Sequence, residues 1–368
     1  LFYNSFSNYP ERMVPSFHPW WCVDDKTSHG GHVAVSNCPF LAYNRAMHTV
    51  IVSAPLPGTA VARLTTAGHR VIQGDQPGGL GHEGIIRVLR DHPDTSALIP
   101  LVSDRVDARV LDAGPSLRIV ANYGVGIDNL DLVELKRRGI VATNTPGVLT
   151  EATADFAMAL ILDACRNVSR GDRLVRAGLW KGWSPTQLLG PRVTGSTLGI
   201  VGFGRIGQAV AARARGFSMR VLYSDPIRVS PQIEKDLQAT YLSLGDLLAQ
   251  SDIVSLHCPS TDSTRGLMNE TRLRQMRPGS VLVNTGRGTC VEEAALAKLL
   301  KEGHLAAAGL DVYEREPMIH QELLDLPNVV LAPHLGSADL PAREGMAELS
   351  VSSVIAVLAG NEPAHRVA

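Results

Sequence analysis

The stretch that most narrows what this chain can fold into is Thr197 to Asp225, TLGIVGFGRIGQAVAARARGFSMRVLYSD. An apolar run, Leu198, Ile200 and Val201, feeds Gly202-Phe203-Gly204-Arg205-Ile206-Gly207, after which Ile206, Val210 and Ala214 recur at helical spacing. A β-like run from Met219 to Tyr223 closes the unit at Asp225. Strand, glycine turn, helix, strand and acid in that order make a dinucleotide-binding βαβ unit. Gly202 permits the tight turn, Gly204 lets backbone N–H groups approach a pyrophosphate, and Gly207 lets the helix pack close to the sheet. The helix N-terminus offers N–H groups and a positive dipole end to the phosphates. Asp225 would accept hydrogen bonds from a ribose diol and repel a 2′-phosphate, which favours NAD(H). Arg228 lies just beyond it and leaves NADP(H) open. A glycine string alone carries little in a chain with 34 glycines; its flanking strands, helix and acid carry the reading.

At 368 residues the chain has room for two domains with substantial cores. With 45% hydrophobic residues and a net charge of −1 it reads as an ordinary globular protein, without the basic excess that would point to nucleic acid. No charge block points to a membrane surface, and no run of about 18 apolar residues could span a bilayer. The best candidate, Phe156 to Leu162, is short and ends at Asp163. Five cysteines, with no CxxC and no zinc-like Cys/His spacing, imply reduced thiols in a cytoplasmic protein and no metal site. Cys165, Cys258 and Cys290 read as small core or site-lining residues.

Residues 1–46 differ from the remainder of the chain. They hold Trp20, Trp21, scattered histidines and two cysteines without a sustained period, and lack the charged start and apolar core of a secretory signal. They are expected to be an extension, disordered or loosely attached. From Met47 to about Asn144, strand-like runs (49–53, 70–72, 97–102, 117–121, 140–142) alternate with helix-like segments near 58–67, 83–91, 106–113 and 129–138. Gly68, Gly114 and Gly139 stand where helix C-caps are expected. This alternation implies an α/β fold with a parallel sheet covered on both faces. Gln76 to Gly81 reads as a flexible surface loop, because no strand feeds it and no helix-starting Lys or Ser comes after it. Asn122 to Asp128 (NYGVGID) follows a strand and precedes a helix. It is either a turn suited to holding a small carboxylate or a plain strand-to-helix connection, and these residues alone do not decide.

Asn144-Thr145-Pro146-Gly147 marks a boundary, and a long amphipathic helix is predicted from about Thr150 to Asn167. Trp180 to Pro185 carries two large aromatics that either meet another subunit, close a site, or form a satellite cluster. Beyond Asp225, runs at 253–258, 280–284, 306–310 and 329–332 read as buried strands. Helices are expected near 243–250, 269–276 and 291–303, and a last one from Pro341 to Leu358.

Three ionisable residues stand at or beyond the ends of strand-like runs in this half, where open parallel sheets bind ligands. Arg287 follows Val281–Asn284, Glu316 lies beyond Leu310-Asp311-Val312-Tyr313, and His334 follows Leu331-Ala332-Pro333. Singly, each could be a turn cap or a solvated loop residue. Together on a dinucleotide fold they suffice for ketone reduction. Arg287 would fork a substrate carboxylate and polarise the adjacent carbonyl. His334 would supply the proton as the hydride arrives, and Glu316 would orient the imidazole and favour its charged form.

With these residues in hand, the chain resembles the D-isomer-specific 2-hydroxyacid dehydrogenases, most of all their glyoxylate/hydroxypyruvate reductase branch. The resemblance runs through ANYGVGIDNLD (121–131), NTPGVLTEATADFAMALIL (144–162), GIVGFGRIGQAVAARARGF (199–217) and HCPSTDSTRGLMN (257–269). It continues in VNTGRGTCVEEAAL (283–296), AAAGLDVYEREP (306–317) and LAPHLGSADLPAREGMAEL (331–349). It implies Arg287, Glu316 and His334 as the active-site set, with Val125 and Gly126 backbone groups, beside Arg287 and His334, for the substrate carboxylate. Cofactor contacts are implied for Thr153, Gly202, Gly204, Arg205, Ile206, Gly207, Asp225, Cys258, Pro259 and Thr264. The set continues with Thr285, Gly286, Arg287, Asp311, His334 and Gly336.

The implied architecture is two doubly wound parallel-sheet domains, with a Rossmann cofactor domain (147–333) inserted into a flavodoxin-like substrate domain (47–146 and 334–368). A hinged cleft and a homodimer joined through the cofactor domain are implied too, with Trp183 matching a position that reaches the partner's site. The reaction implied is NAD(P)H-dependent reduction of a small 2-keto acid, glyoxylate or hydroxypyruvate, to the D-2-hydroxy acid. A broad 2-keto acid or 2-ketogluconate reductase and an NAD(H)-sensing corepressor-like scaffold are the alternatives. Asp225 departs from the Arg or Ser-Arg that such reductases often carry there and argues for NADH. Pro333 departs from the Gln that precedes the histidine in formate dehydrogenases.

Overall fold

The computed structural model describes residues 47–368; the expectation for residues 1–46 lies outside the described residues. Through residue 143 the chain alternates strand and helix: β1 (Thr49–Val52), α1 (Ala60–Thr66), β2 (Arg70–Gln73), α2 (Gly81–Asp91), β3 (Thr95–Ile99), α3 (Ala108–Ala113), β4 (Ile119–Ala121), α4 (Leu132–Arg137) and β5 (Val141–Thr143). The five strands form one parallel sheet in the order β2-β1-β3-β4-β5. Because neighbouring residues on a strand point to opposite faces, a sheet covered on both sides needs unbroken apolar strands. Val50, Val52, Ile99 and Ile119 share a core with Leu64 of α1, while Ile51, Leu98 and Val120 pack with Ile85, Leu89, Val110 and Leu135.

The second half begins with α5 (Thr150–Arg166) and α6 (Val168–Arg176). It continues through β6 (Thr197–Val201), α7 (Arg205–Ala214), β7 (Arg220–Ser224), α8 (Pro231–Leu237), β8 (Ala239–Tyr241), α9 (Leu244–Gln250) and β9 (Ile253–Leu256). It ends with α10 (Glu270–Gln275), β10 (Ser280–Asn284), α11 (Glu293–Lys301), β11 (Leu305–Leu310), α12 (Gln321–Leu324), β12 (Val329–Leu331) and α13 (Leu340–Leu358). Its seven parallel strands run β12-β11-β10-β9-β6-β7-β8. The strand order reverses between β6 and β9, and the carboxyl ends beside that reversal are where an open α/β sheet takes its ligand. Leu198, Ile200, Val281 and Val283 pack one face under α5 and α7; Val254, Leu256, Leu282 and Leu310 pack the other with α11.

Two elements tie the halves together. α13 returns to the first sheet, where Met346, Val351 and Val354 join the Val50 core, and residues after it bond to β5 (Val367 N to Ala142 O, 2.8 Å). The start of α5 belongs to that same core through Leu149 and Ala152, while Ala154 to Cys165 belong to the second.

Both sheets follow the doubly wound plan expected from the sequence. The differences have local causes. The strand expected over 97–102 ends at Ile99, since Pro100 has no N–H to continue the ladder. The helix expected over 150–167 stops at Arg166, because Asn167 takes a left-handed φ of 54° and α6 restarts at once. Neither α6 nor α8 has a fully buried residue, α8 meeting the core only through the half-buried Ile233 and Leu237, and the short edge strand β8 follows α8 unseen. Gly114 is the C-cap of α3, at φ −117° and packed against Leu117, while Gly68 and Gly139 follow the last residues of α1 and α4 by two positions and adopt φ of 88° and 68°. The 76–81 loop does connect a strand, β2, to a helix, α2, contrary to the reading of an unfed loop. Its end is pinned by Leu80 N to Ser53 Oγ (3.0 Å) and Gly81 N to Asp104 Oδ1 (3.1 Å).

Candidate active site

At the end of β6 the chain turns through Gly202 with φ 89°, and a Cβ there would lie 2.7 Å from the Cys258 backbone nitrogen. A Cβ on Gly207 would lie 2.3 Å from Gly202 O, which fixes α7 against the turn. At Gly204, the N-cap of α7, a Cβ would meet no protein atom within 4 Å. That open side faces outward with Arg205 exposed and Ile206 half-buried in the first helical turn. A helix N-terminus fronted by free space fits a pyrophosphate. Asp225 accepts hydrogen bonds from Phe203 N (Oδ2, 2.7 Å) and Ile227 N (Oδ1, 2.9 Å), tying the glycine turn to the loop after β7. Its remaining lone pairs suit a ribose diol. The residues present therefore fit a nicotinamide dinucleotide.

The loops leaving β9 and β10 line the same edge. Cys258 and Pro259 follow β9, and Thr264 closes their turn by donating to Pro259 O (2.6 Å) and accepting from Thr261 N (2.8 Å). Thr285 hydrogen-bonds the Nδ1 of His257 at 3.2 Å, and burial lowers the His257 pKa to about 4, so this ring is neutral. The Asn284 side chain shapes the Arg287 turn, accepting from Gly286 N (3.0 Å) and donating to Arg287 O (2.9 Å). Thr153, Asp311 and Gly336 form a tight group: a Cβ on Gly336 would sit 3.1 Å from Asp311 Oδ2 and 3.3 Å from Thr153 Cγ2.

Asp311 organises the loop after β12. Its carboxylate accepts Leu335 N (2.6 Å) and Gly336 N (2.8 Å), and its carbonyl accepts His334 N (2.9 Å). Burial raises the Asp311 pKa despite those two N–H donors. The three bonds hold His334 at φ 56°, a left-handed conformation that costs a non-glycine residue about 1–3 kcal/mol. There the His334 Nδ1 meets Glu316 Oε2 at 2.8 Å, while Tyr313 N donates to Glu316 Oε1 (3.1 Å). Burial pushes the Glu316 carboxyl upward, but the His334 hydrogen bond and charge, the Tyr313 N–H and the Arg287 charge together bring it below its ordinary value. The loop carrying Glu316 is itself anchored by the buried Glu293, which accepts Glu314 N (2.6 Å) and His320 N (2.8 Å).

Arg287 reaches across to the first sheet. Its Nε donates to Asp128 Oδ1 (2.9 Å) and its Nη1 to Gly286 O (2.9 Å). The guanidinium lies directly over Gly126, where a Cβ would fall 1.3 Å from Nη2. The turn beneath is held by asparagines: Asn122 Nδ2 donates to Gly126 O (2.7 Å) and Asn144 Nδ2 to Val125 O (2.8 Å). With both carbonyls so engaged, no acceptor among the described residues takes the Val125 or Gly126 N–H. Two free N–H groups beside a guanidinium make a carboxylate-binding corner.

Of the residues expected from the sequence, Arg287 meets the Val125–Gly126 turn, and His334 meets Glu316 and Asp311. The charge of Arg287 reaches Glu316. Asp225 belongs to the separate group around Phe203. Sequence reasoning missed the partners that position these side chains: Asp128, Asn122, Asn144 and Glu293. The adjacency of Asp128 to the NYGVG turn was the one available signal. Trp180 and Trp183, 54% and 83% exposed, form no satellite cluster among the described residues.

Comparison with known proteins accords with this geometry. The family model "D-isomer specific 2-hydroxyacid dehydrogenase, NAD binding domain" matches residues 158–336. A glyoxylate reductase of Thermococcus kodakarensis is 54% identical over 280 residues, covering 75% of this chain and 84% of the relative. One from Pyrococcus furiosus is 51% identical over 281 residues, covering 75% and 83%. Among solved structures, an NADPH-dependent glyoxylate/hydroxypyruvate reductase of Sinorhizobium meliloti in complex with NADP and malonate superposes with TM-score 0.78 at 34% identity. That superposition covers 88% of this chain and 97% of the other.

Proposed function

The chain belongs to the D-isomer-specific 2-hydroxyacid dehydrogenase family, and from that premise we propose that it reduces glyoxylate or hydroxypyruvate to the D-2-hydroxy acid, with NADH as its preferred reductant. It is a nicotinamide-dependent oxidoreductase acting on a small 2-keto acid. The observation that carries the finer reading is the Arg287 guanidinium lying over Gly126, with its charge reaching the Glu316 paired to His334.

In this reading the substrate carboxylate sits on the Val125 and Gly126 N–H groups and on Arg287, which also polarises the ketone oxygen. A dinucleotide held by the Gly202–Gly207 turn and Asp225 would, when bound, provide the hydride chemistry. His334 supplies the proton to the oxygen. Because Glu316 occupies Nδ1, the nitrogen left to face substrate is Nε2, and the carboxylate fixes the ring in that orientation. Asp311 and Gly336 hold His334 at its place, and Asp128 holds Arg287. NADH is favoured because Asp225 would repel a 2′-phosphate.

On the same reading, residues 47–146 with 334–368 form the substrate domain and 147–333 the cofactor domain, with α5 at the hinge. A homodimer through the cofactor domain would cover the exposed Leu179, Trp180, Trp183 and Leu189. Among the described residues no helix is long and apolar enough to cross a membrane.

Initial rates with NADH and with NADPH against glyoxylate, hydroxypyruvate, pyruvate and 2-ketogluconate test the proposal. The expected result is the highest kcat/KM for glyoxylate or hydroxypyruvate with NADH. A chain that binds NADH but turns over none of these acids would overturn it.

A further inference from the structure

The loop after β7 holds a cation that the proposed reaction does not use. Arg228 stands three residues beyond Asp225, on the side where a cofactor's 2′ substituent would be read. A guanidinium there ordinarily attracts a 2′-phosphate. Here its hydrogen-bonding fork is taken. Nε donates to Glu234 Oε1 (2.8 Å) and Nη2 to Glu234 Oε2 (2.9 Å), a bidentate pair made with α8. The guanidinium also lies over the Tyr241 ring, 5.5 Å from its centroid, at the end of β8.

The carboxylate that holds it is fixed in turn. Tyr223 OH donates to Glu234 Oε1 (2.6 Å) and accepts Val229 N (3.3 Å), spanning the loop. Its ring stacks on Phe203 at 4.0 Å and meets Tyr241 edge-on at 5.4 Å. Phe203 N is the group that binds Asp225. One connected network thus joins the glycine turn, the ribose-reading acid and the neighbouring arginine.

We infer that Glu234 is a specificity-determining residue, which, with Tyr223 and Tyr241, holds Arg228 away from the cofactor's 2′ position and so keeps NADP(H) from gaining a contact. The inference deepens the proposed preference for NADH and rests on it. Asp225 excludes the phosphate by repulsion; Glu234 excludes it by occupying the one nearby fork that could answer it. Arg228 and then Tyr223 hold the Glu234 carboxyl at about 2. The clasp is therefore charged at every pH at which the enzyme would work.

The test is calorimetric binding of NAD⁺ and NADP⁺ to the full chain and its variants. The parent chain should bind NAD⁺ more tightly. Glu234→Gln should tighten NADP⁺ binding about fivefold, the upper range for a solvent-exposed ion pair, and leave NAD⁺ unchanged. Adding Arg228→Ala to Glu234→Gln should erase the gain, whereas Arg228→Ala alone should leave both affinities unchanged. Tyr223→Phe should shift NADP⁺ affinity in the same direction by less. A parent that prefers NAD⁺, with NADP⁺ affinity unmoved in both Glu234→Gln and Tyr223→Phe, overturns this inference alone. A parent that prefers NADP⁺ overturns the NADH reading and this inference with it.

Discussion

Replacing Gly126 with alanine should disable substrate capture while leaving the fold and the cofactor site intact. An ideal Cβ at 126 falls 1.3 Å from Arg287 Nη2, 2.5 Å from Cζ and 3.0 Å from Asp128 Oδ1. Since non-bonded heavy atoms settle about 3.5–4 Å apart, the guanidinium must withdraw by about 2 Å. The obstructing atoms are the far end of a flexible side chain, so the backbone need not move and the thermal midpoint should stay near that of the parent. Withdrawal costs a charge-assisted hydrogen bond to the substrate carboxylate, worth about 1.5–3 kcal/mol, or about 10- to 150-fold in kcat/KM. The loss should appear as a raised KM for glyoxylate, with NADH affinity by fluorescence titration unchanged. A KM within twofold of the parent's would refute the placement of the substrate carboxylate beside Arg287.

Other variants probe separate parts of the site and the fold. Arg287→Ala should raise KM steeply, and His334→Ala should lower kcat by about 10²–10⁴-fold with little change in KM, as steady-state rates would show. Glu316→Gln should lower kcat, as steady-state rates would show, because the carboxylate that orients the His334 ring through Nδ1 is gone. In the parent, the depressed Glu316 pKa means this pairing is present above the ordinary glutamate value and lost only as pH falls through the lower folded one. Gly288→Ala should cost about 1–3 kcal/mol or more in urea unfolding, since its Cβ would fall 1.9 Å from the Tyr313 carbonyl carbon, which is backbone and cannot swing aside. Glu134, held at about 2 by Arg137 and Arg138, contributes stability that is full above about 4.5 and lost as pH falls toward 2. The Tm deficit of Glu134→Gln should accordingly vanish across that window.

What could be read in the chain was whatever repeats along it. Unbroken apolar strands such as Thr49–Val52 and Ser280–Asn284 gave buried parallel sheets, and the glycines at 202, 204 and 207 gave the turn that sets α7 on β6. Arg287, Glu316 and His334 were legible as candidates because each stands at or just beyond a recognisable strand end. Their partners were not. Nothing in local spacing tells Arg287 to pair with Asp128, 159 residues away, or Glu293 to brace the loop of Glu316. Helices α6 and α8 escaped because each is short, nine and seven residues, and α8 meets the core only through the half-buried Ile233 and Leu237. Arg228 was visible as a charge near Asp225, but its capture by Glu234 depends on where α8 runs.

The most direct measurement is a crystal structure with NAD(H) and oxamate, a non-reducible 2-keto acid mimic. The oxamate carboxylate is expected on the Val125 and Gly126 N–H groups and Arg287, and its keto-like oxygen at His334 Nε2. An oxamate bound away from Arg287, or an imidazole turned from it with Glu316 unpaired, would contradict the mechanism.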